Sequence, residues 1–218
     1  MSKIITATLI ISCMTLLSGC GADGVSGLKG SGTMAKENRN LGSFHAIEIE
    51  IPAELAISAG GSPQLSIETD DNILPHVITA VKDGVLKISS DGNLNGLTKM
   101  TVDAKAPSID RLTINGATKT HLNGLSGNAF ALAANGASEI TANGKVDKLA
   151  ATLSGAGRLK SFELAVREAT LTIDGAGNAQ VNASDTLAVT VNGAGTVQYK
   201  GDPRLTQAIH GVGSITRQ

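Results

Sequence analysis

From Leu112 to Ile215 apolar and polar residues alternate in short runs that break at glycine and then resume. Aligned on that glycine, six copies share columns. Four and two residues before it stand Leu112 and Ile114, Leu132 and Ala134, Ala151 and Leu153, Leu171 and Ile173, Val189 and Val191, then Gln207 and Ile209. Between them lie Thr113, Ala133, Thr152, Thr172, Thr190 and Ala208. After the glycine, Ile140, Leu159, Ala179, Val197 and Ile215 share one column, and Lys119, Glu139, Arg158, Asn178, Thr196 and Ser214 the column before it. A period of two means strands with one face inward.

The breaks are the corners Asn115-Gly116-Ala117, Asn135-Gly136-Ala137, Ser154-Gly155-Ala156-Gly157, Asp174-Gly175-Ala176-Gly177, Asn192-Gly193-Ala194-Gly195 and His210-Gly211-Val212-Gly213. Glycine accepts positive φ, and Asn or Asp tolerates it. The Ala after each first glycine is expected to stack inside the bend. The first glycines step by 18 to 20 residues, too little chain to bury its own apolar face, so neighbouring copies must cover one another. The prediction is an all-β chain: a β-solenoid, wound as a right-handed parallel β-helix, with six coils in the C-terminal half. At about 4.8 Å per step they make a core roughly 24 Å long.

Residues 44 to 107 read as β without a repeat. Ile47, Ile49 and Ile51 alternate with Glu48 and Glu50, Leu55 and Ile57 keep the parity, and Leu65 and Ile67 return the chain after Gly60-Gly61-Ser62-Pro63. Asp70–Ala80 reads as a short helix or irregular crossover interrupted by Pro75, Asp83-Gly84 as a hairpin corner, and residues 90–98 as a loop. This half is read as the less regular start of one β domain, with a separate small domain ending near Pro107 as the alternative.

Phe44-x-x-Ile47, Asp71-Asn72-Ile73-Leu74, Lys82-Asp83-Gly84-Val85-Leu86-Lys87-Ile88 and the Gly-Ala-Gly corners together resemble the family DUF2807, "putative auto-transporter adhesin, head GIN domain", over residues 43–217. The resemblance implies a β-helical, adhesin-like head. No segment after the repeats reads as a translocating barrel, so the head is expected without the transporter.

Residues 1–19 read as a lipoprotein signal peptide: Lys3, an apolar run from Ile4 to Leu17, then Leu17-Ser18-Gly19 before Cys20. The run is short for a transmembrane helix. Cys20 is the expected lipidation site and mature N-terminus, and Gly21 after it favours the outer membrane. Cys13 leaves with the signal, so no thiol remains for a disulfide. Residues 20–43, with six glycines, read as a tether spanning about 26 Å as a coil, and residues 44–218 as the head domain. The formal charge is −1; loss of Lys3 makes it −2, which argues against nucleic acid as partner.

The expected function is non-catalytic: a lipid-anchored envelope protein whose head binds or scaffolds an unidentified protein or glycan ligand. The alternatives are a carbohydrate-active β-helix enzyme and a homo-oligomer joined end to end by strand pairing. Enzymes of that kind need clustered acids, but Asp110, Glu139, Asp147, Glu163, Asp174 and Asp185 fall in different columns. Lys119, Glu139 and Arg158 are expected to form a cross-strand ladder. His45, His76, His121 and His210 lack metal-ligand spacing. Ser154-Gly155-Ala156-Gly157 is not a nucleophile elbow, since its Ser precedes the glycines, and no helix follows the Gly-Ala-Gly corners as a dinucleotide site would require. No catalytic, cofactor or metal residues are assigned. Gly116, Gly136, Gly155, Gly157, Gly175, Gly177, Gly193, Gly195, Gly211 and Gly213 are assigned as structural turns. Tyr199 is assigned to the core, and the Thr113, Thr152, Thr172 and Thr190 column to an ordinary β ladder.

Overall fold

The computed structural model describes residues 27–218. The signal peptide, Cys20 and the start of the tether lie outside the described residues. Apart from turns and loops, the described residues form β-strands and one 3₁₀ turn at Leu74–His76, where Pro75 stands.

The N-terminal strands are β1 (Leu28–Lys29), β2 (Met34–Arg39), β3 (Ala46–Ile49), β4 (Ala53–Ala59), β5 (Gln64–Asp70), β6 (Val77–Lys82), β7 (Val85–Ser90), β8 (Leu94–Asn95) and β9 (Thr101–Ala106). The repeats supply β10 (Arg111–Asn115), β11 (Thr118–Gly136), β12 (Ser138–Gly155), β13 (Arg158–Lys200) and β14 (Arg204–Arg217). β11 and β12 each end at a glycine corner, whereas β13 runs on through the Gly175 and Gly193 corners and β14 through Gly211.

Parallel register carries the repeat. Leu112 lies opposite Leu132 and Ile114 opposite Ala134; Ala151 lies opposite Leu171 and Leu153 opposite Ile173; Val189 and Val191 meet Gln207 and Ile209. These apolar columns are buried except at β14, where Gln207 and Ile209 are exposed. Beyond the second arm the coils bend again, where Asn143 Nδ2 donates to Asn123 Oδ1 at 2.9 Å, and a third side brings Val146 opposite Val166.

The N-terminal half adds two more parallel layers, out of sequence order. β3 and β4 stack on β10 and the start of β11, with Ile47 opposite Leu112 and Leu55 opposite Thr120. On the other side of β3 and β4 lie β7 and β9, with Ile47 opposite Leu86 and Leu55 opposite Val102. Antiparallel strands then close this end: β5 on β9, β2 on β5 and β6 on β7. The sheet curls about one core that runs through both halves.

Part of the expected tether is therefore folded. β2 pairs with β5 along its whole length, Met34 opposite Asp70 and Arg39 opposite Leu65, and β1 pairs with β8 inside the expected 90–98 loop. The polar composition of Met34–Arg39 suits an edge strand that offers main-chain hydrogen bonds and little apolar surface. Asp83 (φ +51°) and Gly84 (φ +75°) make the β6–β7 hairpin corner, a two-residue turn in which both residues take positive φ.

Candidate binding surface

The corners show that the two glycines of each Gly-Ala-Gly serve different needs. Gly175 has φ +135°, and a Cβ there would stand 2.6 Å from Gly155 O and 3.2 Å from Gly155 Cα. Backbone conformation and the neighbouring coil both exclude a side chain. Gly177 has no positive φ; it is buried, and a Cβ would meet Ile173 Cγ2 at 3.0 Å and Gly157 O at 3.3 Å. The column of Gly177 faces the core, and Thr118 and Ser138 occupy it in the first two copies, both buried. The alanines between the glycines point outward: Ala117, Ala137, Ala156, Ala176 and Ala194 are exposed. This corrects the expectation that they stack inside the bend. Gly177 stands four residues past the inward Ile173, so the second glycine keeps the inward parity and leaves Ala176, between the two glycines, on the outer side.

Of the assigned turn glycines, Gly116, Gly136, Gly155, Gly175, Gly193 and Gly211 all have positive φ. Gly157, Gly177, Gly195 and Gly213 do not, and each meets core side chains instead. Beside the glycines the polar corner residues bridge coils: Asn135 Nδ2 donates to Asn115 Oδ1 at 2.9 Å, and Asn192 Nδ2 to Asp174 Oδ1 at 2.7 Å.

Flanking this ridge are two outward faces. On the first arm Thr113, Thr152, Thr172 and Thr190 stand half-buried in one column. On the second arm the face starts charged and becomes neutral. Glu139 lies opposite Arg158 in register, yet its carboxylate takes Lys160 Nζ, at 2.5 Å. That hydrogen bond, helped by the Lys160, Arg158 and Lys119 charges, holds Glu139 below the ordinary carboxylate range. The expected ladder therefore carries its direct bond one position diagonal. A diagonal lysine reaches because its stem is long. Farther along, Asn178, Gln180, Thr196 and Gln198 line a shallow groove of about 370 Å³ with Arg158 and Lys160, and Gln180 Nε2 donates to Gln198 Oε1 at 3.0 Å. This is a flat field of amide and hydroxyl groups, suited to hydrogen bonding. The aromatic rings give it no stacking platform: Phe44 and Phe130 are buried, Tyr199 packs against the core, and Lys200 Nζ sits 4.5 Å above the Phe162 ring.

A larger groove, about 630 Å³, crosses the antiparallel end and is lined by Asn38, Ser58, Gln64, Ser66, Asp103 and Lys105. Sequence reasoning missed it because Asn38 belongs to a strand that reads as tether. It also missed Asp70, which is fully buried. Its carboxylate accepts from Gly32 N at 2.8 Å, Thr98 N at 3.0 Å and Thr98 Oγ1 at 2.8 Å. The Thr98 N–H above all holds its pKa below the ordinary value, against the opposing effect of desolvation.

The other titratable residues are dispersed. Asp110 pairs with His45 at 3.0 Å, Asp91 with His76 at 2.8 Å and Asp185 with Arg167 at 3.8 Å. No group of three or more His, Cys, Asp or Glu could hold a metal ion among the described residues. No helix among them is long and apolar enough to cross a membrane.

Solved structures share the fold. An adhesin of Bacteroides fragilis, described as putative, matches with a TM-score of 0.70 at 22% identity, over 88% of this chain and 100% of its own. A "putative lipid binding protein" of Parabacteroides distasonis matches at 0.52 and 20%, over 88% of this chain and 99% of its own. A "putative adhesin" of Parabacteroides merdae gives 0.52 and 20%, over 88% and 98%. No curated protein matches. A family model matches residues 43–203, which takes in the antiparallel end except β2 and five of the six glycine corners; the chain belongs to the family DUF2807, described as "Putative auto-transporter adhesin, head GIN domain".

Proposed function

We propose that this chain is a non-catalytic, lipid-anchored protein of the cell envelope, held at the outer membrane through an acylated Cys20. Its head, a right-handed parallel β-helix, serves binding or scaffolding. Family membership over residues 43–203 carries the reading. The lipobox-like Leu17-Ser18-Gly19-Cys20 N-terminal to the head supports the anchor, and the parallel register at 18 to 20 residues per coil supports the helix. The amide and hydroxyl face from Asn178 to Gln198 is the surface for a protein or glycan ligand, which it would hold by hydrogen bonds and flat fit. The dispersed carboxylates favour binding over hydrolysis, which needs a convergent pair.

The test is metabolic labelling with a palmitate analogue, then fractionation, comparing the unsubstituted chain with Cys20→Ser. Label and outer-membrane recovery that both disappear in the variant are expected; label retained by Cys20→Ser overturns the anchor. Protease shaving of intact cells then assigns the face: loss of the head with a periplasmic control intact puts it outside.

A further inference from the structure

The two ends of the stack are finished differently. One is closed by antiparallel strands. At the other, β14 pairs with β13 along one edge, and no described strand pairs with its second edge. That edge lacks the features that blunt an exposed strand: Arg204–Arg217 contains no proline and no lysine, and its two arginines stand at its ends. Apolar groups are exposed along it, Ile209 at 38% and Val212 at 82%. Val212 is also the one place where the outward corner alanine becomes larger.

We propose that this end takes a second copy of the same chain, edge to edge, about a two-fold axis through the corner at His210. A two-fold axis along the bisector of the corner lays the first arm of one copy on the second arm of the other, and reverses the stack direction. The pairing is then antiparallel and isologous.

Backbone parity and side chains select one register. Gln218 donates its N–H to Tyr199 O at 2.9 Å, and Ala131, which aligns through successive coils with Thr206, donates to Asp110 O at 2.8 Å. Even-numbered residues of β14 therefore aim their backbone groups at β13, and odd-numbered ones aim theirs at the free edge. Centred on His210, the pairs are Leu205 with the partner's Ile215, Gln207 with the partner's Gly213 and Ile209 with the partner's Gly211. All are odd, so each can exchange two hydrogen bonds. Leu205 and Ile215 face the core side together, while outside Thr206 meets Ser214 and Ala208 meets Val212. Moving the centre one residue towards the C-terminus would set Leu205 against Arg217 and Gln207 against Ile215.

Charge agrees with this register. Arg217 holds Asp202 of its own copy at 3.0 Å, and the pairing brings the partner's Asp202 beside it, so the basic strand ends meet acids and not each other. The chain's own N-terminal segment is too short to cover this end. The seven residues from Cys20 to Ser26 reach at most about 25 Å, whereas seven layers separate the β7–β9 level from β14, roughly 34 Å. That last point rests on the Cys20 reading; the experiment below does not.

The test is a cysteine at the axis. His210→Cys would face its own copy across a non-hydrogen-bonded pair, with Cα atoms about 4.5 Å apart, inside the disulfide range. The full chain in its native envelope is oxidised and run without reductant, with the unsubstituted chain giving the background from Cys13 and Cys20. A band at twice the chain mass is expected for His210→Cys and not for His121→Cys, an exposed position five layers away. Adding Gln207→Pro to His210→Cys should abolish the band at unchanged melting temperature, because the Gln207 N–H points to the free edge, where no described strand supplies an acceptor. If proline lowers the melting temperature, Gln207→Lys, an inward charge on the edge, replaces it. No band, an equal band from His121→Cys, a ladder of higher masses, or a band that survives both edge variants overturns the proposal.

Discussion

The repeat half and the antiparallel end of this molecule reach the same curled sheet by opposite means. From Arg111 onward the coils before the last repeat one solution: an inward apolar pair, a glycine with positive φ, an outward alanine, and a small core-side residue, Thr118 or Ser138 in the first two copies and glycine afterwards. The antiparallel end repeats nothing. Its layers stack out of sequence order, and single side chains fasten them. Asp70 ties Gly32 to Thr98, Arg39 donates to Thr79 Oγ1 at 3.0 Å and Leu74 O at 3.2 Å, and Asn72 exchanges bonds with Lys29 O and Ser31 N at 2.8 and 2.9 Å. A repeat distributes its stability over equivalent corners; the irregular end concentrates it in a few polar locks. Substitutions in the two regions should therefore fail in different ways.

The largest loss is expected at a corner. Gly175→Val places a β-branched residue at φ +135° with its Cβ 2.6 Å from the Gly155 carbonyl, which strains the backbone and pushes two coils apart. A destabilisation of about 3 kcal/mol follows, seen as a melting temperature lower by roughly 10 °C. Gly177→Ala has no φ cost but overfills the space against Ile173 Cγ2 at 3.0 Å, for a loss of about 2 kcal/mol. Equal losses at the two sites would mean that the two glycines do the same job.

At the other end the lock is electrostatic. Asp70→Asn leaves one acceptor oxygen for three donors and sets an amide N–H against them, so the melting temperature should fall, by less than for Gly175→Val. The pH dependence separates this from a packing defect. The Asp70 pKa is lowered on folding from 3.8, so the unfolded chain binds the proton first. Its stabilisation is complete above that value and is lost as pH falls through the lower folded one. Glu50, Glu139 and Glu168, lowered from 4.5 by hydrogen bonds from Lys87, Lys160 and Lys148, act in the same direction. Melting temperatures measured from pH 7 down through the carboxylate range should fall for both proteins, less steeply for Asp70→Asn. Identical slopes would remove Asp70 from the account.

The same contrast decides what could be read from the sequence. The coils are legible because glycine spacing and alternation state one rule six times, and the register follows from that spacing. The two extra layers are not, because Ile47 and Leu86 carry the alternation without a corner glycine, and nothing local says that residues 85–106 lie outside residues 46–59. Met34–Arg39 resembles a tether because an edge strand paired on one side needs almost no apolar residues. Asp70 reads as crossover because its donors, Gly32 and Thr98, are 38 and 28 residues away. The corner alanines are placed on the wrong side by composition alone, since a small residue fits inside or outside; the exposed Ala176 and buried Gly177 settle it. Of the binding surface, the columns are visible beforehand, but Lys160 reaching Glu139 is a matter of side-chain length that column alignment does not carry.

The smallest expected effect has the opposite sign and tests the corner rule from within. Ser138 holds the inward position that glycine takes in later coils, is buried, and its Oγ has no hydrogen-bond partner. A buried hydroxyl without a partner costs more than it contributes. Its neighbour in the column, Thr118 Oγ1, at least accepts from Thr120 Oγ1 at 3.3 Å. Ser138→Ala keeps the Cβ already present at this corner and removes only the unpaired oxygen. The domain should gain about 1 kcal/mol, read as a small rise in melting temperature. Ser138→Gly removes the same oxygen but adds unfolded-chain entropy, which takes back part of that gain. If Ser138→Ala is destabilising, the hydroxyl has a partner in solution, and the early corners hold a polar interior that the Gly-Ala-Gly corners have dispensed with.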